Sequence, residues 1–282
     1  MDGARVDGAA VDGAAVDGAQ PCTWSAFSTP VLIPNVNSTS TDWTPHLTSD
    51  GLTLYFSSDR PGDDTQRIWV ATRASTGATF DAPILLASIN DGAWTGSPAT
   101  SVNGLELFYS TGGAISHSTR GTTATPFPIG TEITELSPTE SNVGGPFLAA
   151  DGLTLYYHMG DWNAGTFDMA MATRDTVDGP FTYVKMLNGA NSPTENDGWP
   201  TVSADHLELY FERATEGGEK IFMATRESVV APFGLSSLVA EFSSLALSGD
   251  PDLSPDGRTM VFAARPTGEV WNLYMSTRTC LP

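Results

Sequence analysis

Five stretches of the chain say nearly the same thing: DGLTLYFS from Asp50, NGLELFYS from Asn103, DGLTLYYH from Asp151, DHLELYFE from Asp205 and DGRTMVFA from Asp256. Each opens on a turn dipeptide or a close variant and runs into branched and aromatic side chains, the pattern of a tight turn feeding a β-strand. A proline stands five residues ahead of each turn, at Pro45, Pro98, Pro146, Pro200 and Pro251, so successive copies lie 53, 48, 54 and 51 residues apart. A unit of that size cannot bury a hydrophobic face alone, and repeating it around a ring or along a stack supplies the missing neighbours.

The rest of each copy is also shared. A polar loop follows the aromatic strand, and a third segment ends in Thr-Arg: RIWVATR, AISHSTR, DMAMATR, KIFMATR and NLYMSTR. Seven residues beyond the arginine comes a phenylalanine in four copies, at Phe80, Phe127, Phe181 and Phe233, and then a fourth apolar segment such as PILLASI. The loops are too short for crossover helices, which excludes a parallel α/β array. The 28 Gly and 19 Pro fit many short strands joined by turns. Four antiparallel strands per copy predict an all-β chain, a five-bladed β-propeller. The arginines, one per copy, are expected to hold turn carbonyls or a carboxylate beside the Asp-Gly bend rather than a ligand.

The repeat, and PDLSPDGRTMVFAA above all, resembles the TolB-like, WD-repeat-like propellers over about residues 27 to 279. The resemblance implies the fold. It implies no single activity, because that family includes translocation partners, protease-associated domains and binding modules.

The fifth copy lacks room for a fourth strand, since only four residues follow Arg278. The N-terminal FSTPVLIPNVN, from Phe27, reads like FDAPILLASIN, from Phe80, so the ring is expected to close with an N-terminal strand completing the last blade. The two cysteines fall into register there. Cys280 is two residues past Arg278, and Cys22, five before Phe27, occupies the same slot. A Cys22–Cys280 disulfide is predicted, closing a loop worth roughly 4–5 kcal/mol in a chain-entropy model and pointing to an oxidising compartment.

The propeller is assigned to residues 22–282, and residues 1–21, with Asp2, Asp7, Asp12 and Asp17 spaced by Gly and Ala, to a disordered acidic spacer. The chain is expected to be a secreted or cell-envelope monomer, tethered through a segment upstream of this spacer. A formal charge of −20 excludes a nucleic-acid partner, and no apolar run is long enough for a transmembrane helix. No cofactor and no metal are expected. The four histidines show no ligand spacing, and calcium on DRPGDD is the weaker possibility.

Function in such a ring belongs to the loops at the mouth of the channel, where the copies differ. The loops leading into the proline strands and those joining the second and third strands bring Asp42, Trp43, Trp94, Trp162, Asp197, Trp199, Arg213 and Arg265 to one face. Aromatic rings among carboxylates and amides suit a glycan, or a peptide or protein ligand, and the main expectation is a non-catalytic binding module. The alternative is a glycoside hydrolase using Asp42, Asp197 and Asp250 as its carboxylates.

Overall fold

The computed structural model describes residues 22–60, 65–90, 94–136, 141–161 and 166–281. The acidic spacer and Trp162 lie outside these residues. Among them are five four-stranded antiparallel sheets and two single-turn 3-10 helices. The protein is a five-bladed β-propeller.

The first strands, Asp42–Leu47, Thr95–Thr100, Asn142–Leu148, Asp197–Val202 and Leu247–Leu253, are innermost, and their five prolines converge on the central channel. The repeated words form the second strands, Thr53–Ser58, Glu106–Thr111, Thr154–Asp161, Glu208–Thr215 and Thr259–Arg265. The Thr-Arg segments form the third strands. The fourth strand of blade 5 is Val31–Leu32, paired antiparallel with Met275 and Tyr274 as the sequence predicts. At this seam Cys22 and Cys280 form the disulfide, 258 residues apart in the chain, and Thr23–Trp24 pairs with Cys280–Leu281.

Why each second strand carries an unbroken apolar run, such as Leu54-Tyr55-Phe56, follows from where its two faces go. Leu54 and Phe56 pack into the core between blades 5 and 1, whereas Tyr55, pointing the other way, packs into the core between blades 1 and 2. The same alternation sends Leu209 and Phe211 back toward blade 3 and Tyr210 forward toward blade 5. Five separate cores result, one per blade interface.

The repeated arginines take the structural role expected of them. The Nε–H of Arg73, Arg120, Arg174, Arg226 and Arg278 donates to the carbonyl of Gly51, Gly104, Gly152, His206 and Gly257 at 2.6–2.8 Å, pinning the turn of its own blade. Each guanidinium also lies over the phenylalanine beyond it, at 4.0–4.7 Å for Phe80, Phe127, Phe181 and Phe233. Arg278 uses Phe27, 4.9 Å away, so the N-terminal segment completes this contact as well as the sheet.

Candidate functional site at the mouth of the channel

Every first strand carries a β-bulge at its proline, between Trp43 and His46, Gly96 and Ala99, Gly144 and Phe147, Gly198 and Thr201, and Gly249 and Asp252. The residue preceding the proline is left-handed in all five blades: Thr44 (φ 42°), Ser97 (49°), Gly145 (56°), Trp199 (48°) and Asp250 (52°). Four of these are not glycine, and a following proline further restricts the backbone, so the conformation is strained and must be held by its surroundings. Bulges of this kind re-aim a side chain, and these five residues form a ring around the top of the channel.

The surroundings that hold the ring come from the preceding blade. A second-strand side chain accepts the backbone N–H of the left-handed residue: Ser57 Oγ takes Ser97 N–H at 3.0 Å, Ser110 Oγ takes Gly145 N–H at 3.1 Å, and His158 Nδ1 takes Trp199 N–H at 3.3 Å. The Glu212 carboxylate takes the N–H of Asp250. The fifth position is Ala263, which has no acceptor, and there Asp250 Oδ2 takes the Thr44 N–H at 3.2 Å. The residue two before the proline follows the same logic. It is glycine where the acceptor needs space, and a Cβ at Gly249 would overlap the Glu212 carboxylate. Opposite Ala263 it is Trp43.

Around this ring lies a cavity of about 500 Å³. Trp43, Trp94 and Trp199 supply its aromatic walls. Gln66, Asn142, Ser97 and Ser110 supply neutral hydrogen-bonding groups, and His158 and Asp250 the titratable ones. The tryptophans are oriented by polar contacts: Trp94 Nε1–H donates to Gln66 Oε1 at 2.5 Å, and Trp199 Nε1–H to Ser97 Oγ at 3.4 Å. The Trp199 ring sits 4.5 Å from His158 and meets Phe167 edge-on at 5.8 Å.

Burial pushes His158 down to about 3, so the imidazole is neutral at physiological pH. Because Nδ1 accepts from Trp199, the ring proton sits on Nε2. Asp250 moves the opposite way. Burial raises it to about 7, opposed by the Thr44 N–H and reinforced by the nearby Glu219 charge. Glu212 is also raised, by burial first and then by repulsion from Asp250 and Glu219. A carboxyl group that titrates near neutrality can give or take a proton there.

The residues singled out by sequence divide clearly. Trp43, Trp94, Trp199 and Asp250 line the cavity. Asp42 and Asp197 are fully buried in the blade walls instead. Asp42 accepts from Arg60 at 2.6 Å and from the Ser38 N–H at 2.8 Å, and Asp197 receives a fork from Arg213 at 2.6 and 3.0 Å. Arg60 and Arg213 each donate onward to the carbonyl of the loop entering the blade, at Val36 and Ala190, so these pairs brace the loops. Arg265 is exposed, 5.7 Å from the Trp271 ring. Asp42, Asp197 and Asp250 are therefore not gathered at one point. Sequence reasoning passed over His158 and Glu212. The available signal was the last letter of the repeated word, where YYH and YFE stand against YFS, FYS and VFA. Among the described residues no His, Cys, Asp and Glu side chains are grouped to hold a metal ion.

No protein-family model matches the chain, and no curated protein matches its sequence. The TolB-like wording is thus a likeness of the blade. Solved structures with the same fold include the catalytic domain of an α-L-arabinofuranosidase of glycoside hydrolase family 62 from Coprinopsis cinerea, 12% identical with a TM-score of 0.61, the match covering 92% of this chain and 97% of that one. The Podospora anserina α-L-arabinofuranosidase in complex with cellotriose is 11% identical over the same shares, with a TM-score of 0.58. A family 117 glycoside hydrolase from Zobellia galactanivorans is 13% identical, with a TM-score of 0.59 over 90% of each chain.

Proposed function

We propose that the chain is a carbohydrate-active propeller that holds a sugar in the cavity at the channel mouth. One observation carries this reading: three tryptophans, two of them with their indole N–H groups already engaged, wall a cavity whose polar lining is mostly amide and hydroxyl. Indole faces stack on the apolar face of a pyranose while amides and hydroxyls take its hydroxyls. The sugars and glycoside-hydrolase activities named for the structural neighbours favour a glycan over a peptide. The disulfide fits a secreted or envelope setting, where glycans are met.

Hydrolysis is the second reading, favoured by the raised Asp250, a carboxyl able to protonate a leaving oxygen near neutral pH. The test is a panel of short oligosaccharides incubated with the protein, read for binding by calorimetry and for new reducing ends. Binding that falls about tenfold or more in Trp199→Ala supports the glycan site. New reducing ends that vanish in Asp250→Asn support hydrolysis. An array with no ligand, or with affinity unchanged in Trp199→Ala, overturns the proposal.

A further inference from the structure

Among the described residues, several buried and half-buried carboxylates pair with arginine, whereas Asp250 on the cavity wall and Glu212 beside it do not. Asp252 accepts from the His46 ring and from the Leu47 N–H, each at 3.0 Å, whereas Asp42 has Arg60 at 2.6 Å, Asp197 has Arg213 at 2.6 Å, Glu106 has Arg174 at 2.8 Å, and Glu208 has Arg278 at 2.5 Å. Among the described residues Asp250 has a single partner, the Thr44 N–H on Oδ2, and Glu212 faces the Asp250 N–H and two further carboxylates, Asp250 and Glu219. Burying a carboxylate without a counter-charge is costly, and folded proteins ordinarily supply one.

We infer that the missing counter-charge is brought by the ligand: the cavity takes an amino sugar, whose ammonium group seats against Asp250 between the tryptophans. This rests on the glycan reading above. Four observations converge on it. The Asp250 carboxylate is nine-tenths buried, lines the cavity and leaves Oδ1 without a protein partner among the described residues. No lining residue is cationic, because His158 is held neutral, so an anionic sugar would meet only repulsion from Asp250 and the carboxylates behind it. Trp43, Trp94 and Trp199 favour an organic cation, since an ammonium is attracted to an indole face as well as to a carboxylate. A bare divalent ion would find too few ligands here, as no group of three metal-binding side chains forms among the described residues. The formal charge of −20 draws cations toward the whole surface.

The test is calorimetric binding of a glucosamine trimer, its N-acetylated form, cellotriose, trigalacturonate and cyclohexylamine, at a pH where the amines are protonated. The expected order has the glucosamine trimer about tenfold tighter than cellotriose or the acetylated trimer, with trigalacturonate weakest, as one charge-assisted hydrogen bond predicts. Asp250→Asn, which keeps the side-chain shape and suits a left-handed backbone, should bring the glucosamine trimer level with cellotriose. Should that variant not fold, Glu212→Gln provides the second measurement, and a preference for the amine reduced in it supports the inference. Cellotriose bound as tightly as the glucosamine trimer overturns the inference and leaves the glycan reading standing. Cyclohexylamine bound with no sugar bound overturns the glycan reading and keeps the cation seat. No binding by any probe overturns both.

Discussion

Asp250 concentrates three properties that rarely coincide in one residue: a left-handed backbone before a proline, a buried carboxyl without a cation, and a place on the cavity wall. Its titration has a calculable sign. The folded state holds the Asp250 proton more tightly than the unfolded chain, so this carboxyl weakens the fold as pH rises from about 4 toward about 7. The neighbouring charges, Glu212 and Glu219, act in the same direction by repulsion. The unfolding midpoint of Asp250→Asn relative to the native protein should therefore climb between pH 5 and pH 8, measured by thermal melts at each pH. A difference that stays flat across that interval would show that Asp250 does not titrate there. Burial pushes the Asp197 carboxyl up as well, there opposed by the Arg213 guanidinium and the Ser192 N–H.

At the scale of the strand, each bulge is a device shared between blades, the proline and left-handed residue on one and the acceptor on the one before. Ser110 is the simplest case, a hydroxyl that accepts the buried Gly145 N–H at 3.1 Å. Ser110→Ala leaves that N–H without its acceptor and should cost about 1–3 kcal/mol in chemical denaturation. A change well under that range would mean that the second-strand position does not hold the bulge. Half of this device was legible in the sequence. The prolines fixed the register of the first strands, and the Asp-Gly words fixed that of the second. The acceptors were not legible, because the five equivalent positions carry two hydroxyls (Ser57, Ser110), an imidazole (His158), a carboxylate (Glu212) and, at Ala263, no acceptor. They are united by the one backbone group that each position faces, which becomes visible only when adjacent blades are in contact.

At the scale of the whole molecule, the ring is closed by two weak pieces of sheet, Val31–Leu32 against the third strand of blade 5 and Thr23–Trp24 against Cys280–Leu281. Such short pairings gain little by themselves, and the Cys22–Cys280 bond ties them together. Replacing both cysteines by serine should lower stability by roughly 2–5 kcal/mol, the ordinary cost of losing such a bond. Hydrogen exchange should then rise first at Phe27–Ile33, where the N-terminal strand enters blade 5. Denaturation curves that superpose for native and double-serine proteins would sink this account of the seam.

The sequence by itself determined the number of blades, the strand order within each, the closing strand and the disulfide. These follow from turn chemistry, strand alternation and counting, all of which act along the chain. Only the tertiary structure decided which acids remain available. Asp42 and Asp197 stand three residues before their prolines and Asp250 one, and the first two acquire arginines while the third does not. Whether a carboxylate is neutralised depends on which side chains fold against it from other strands, and that proximity is written nowhere in its own neighbourhood of sequence.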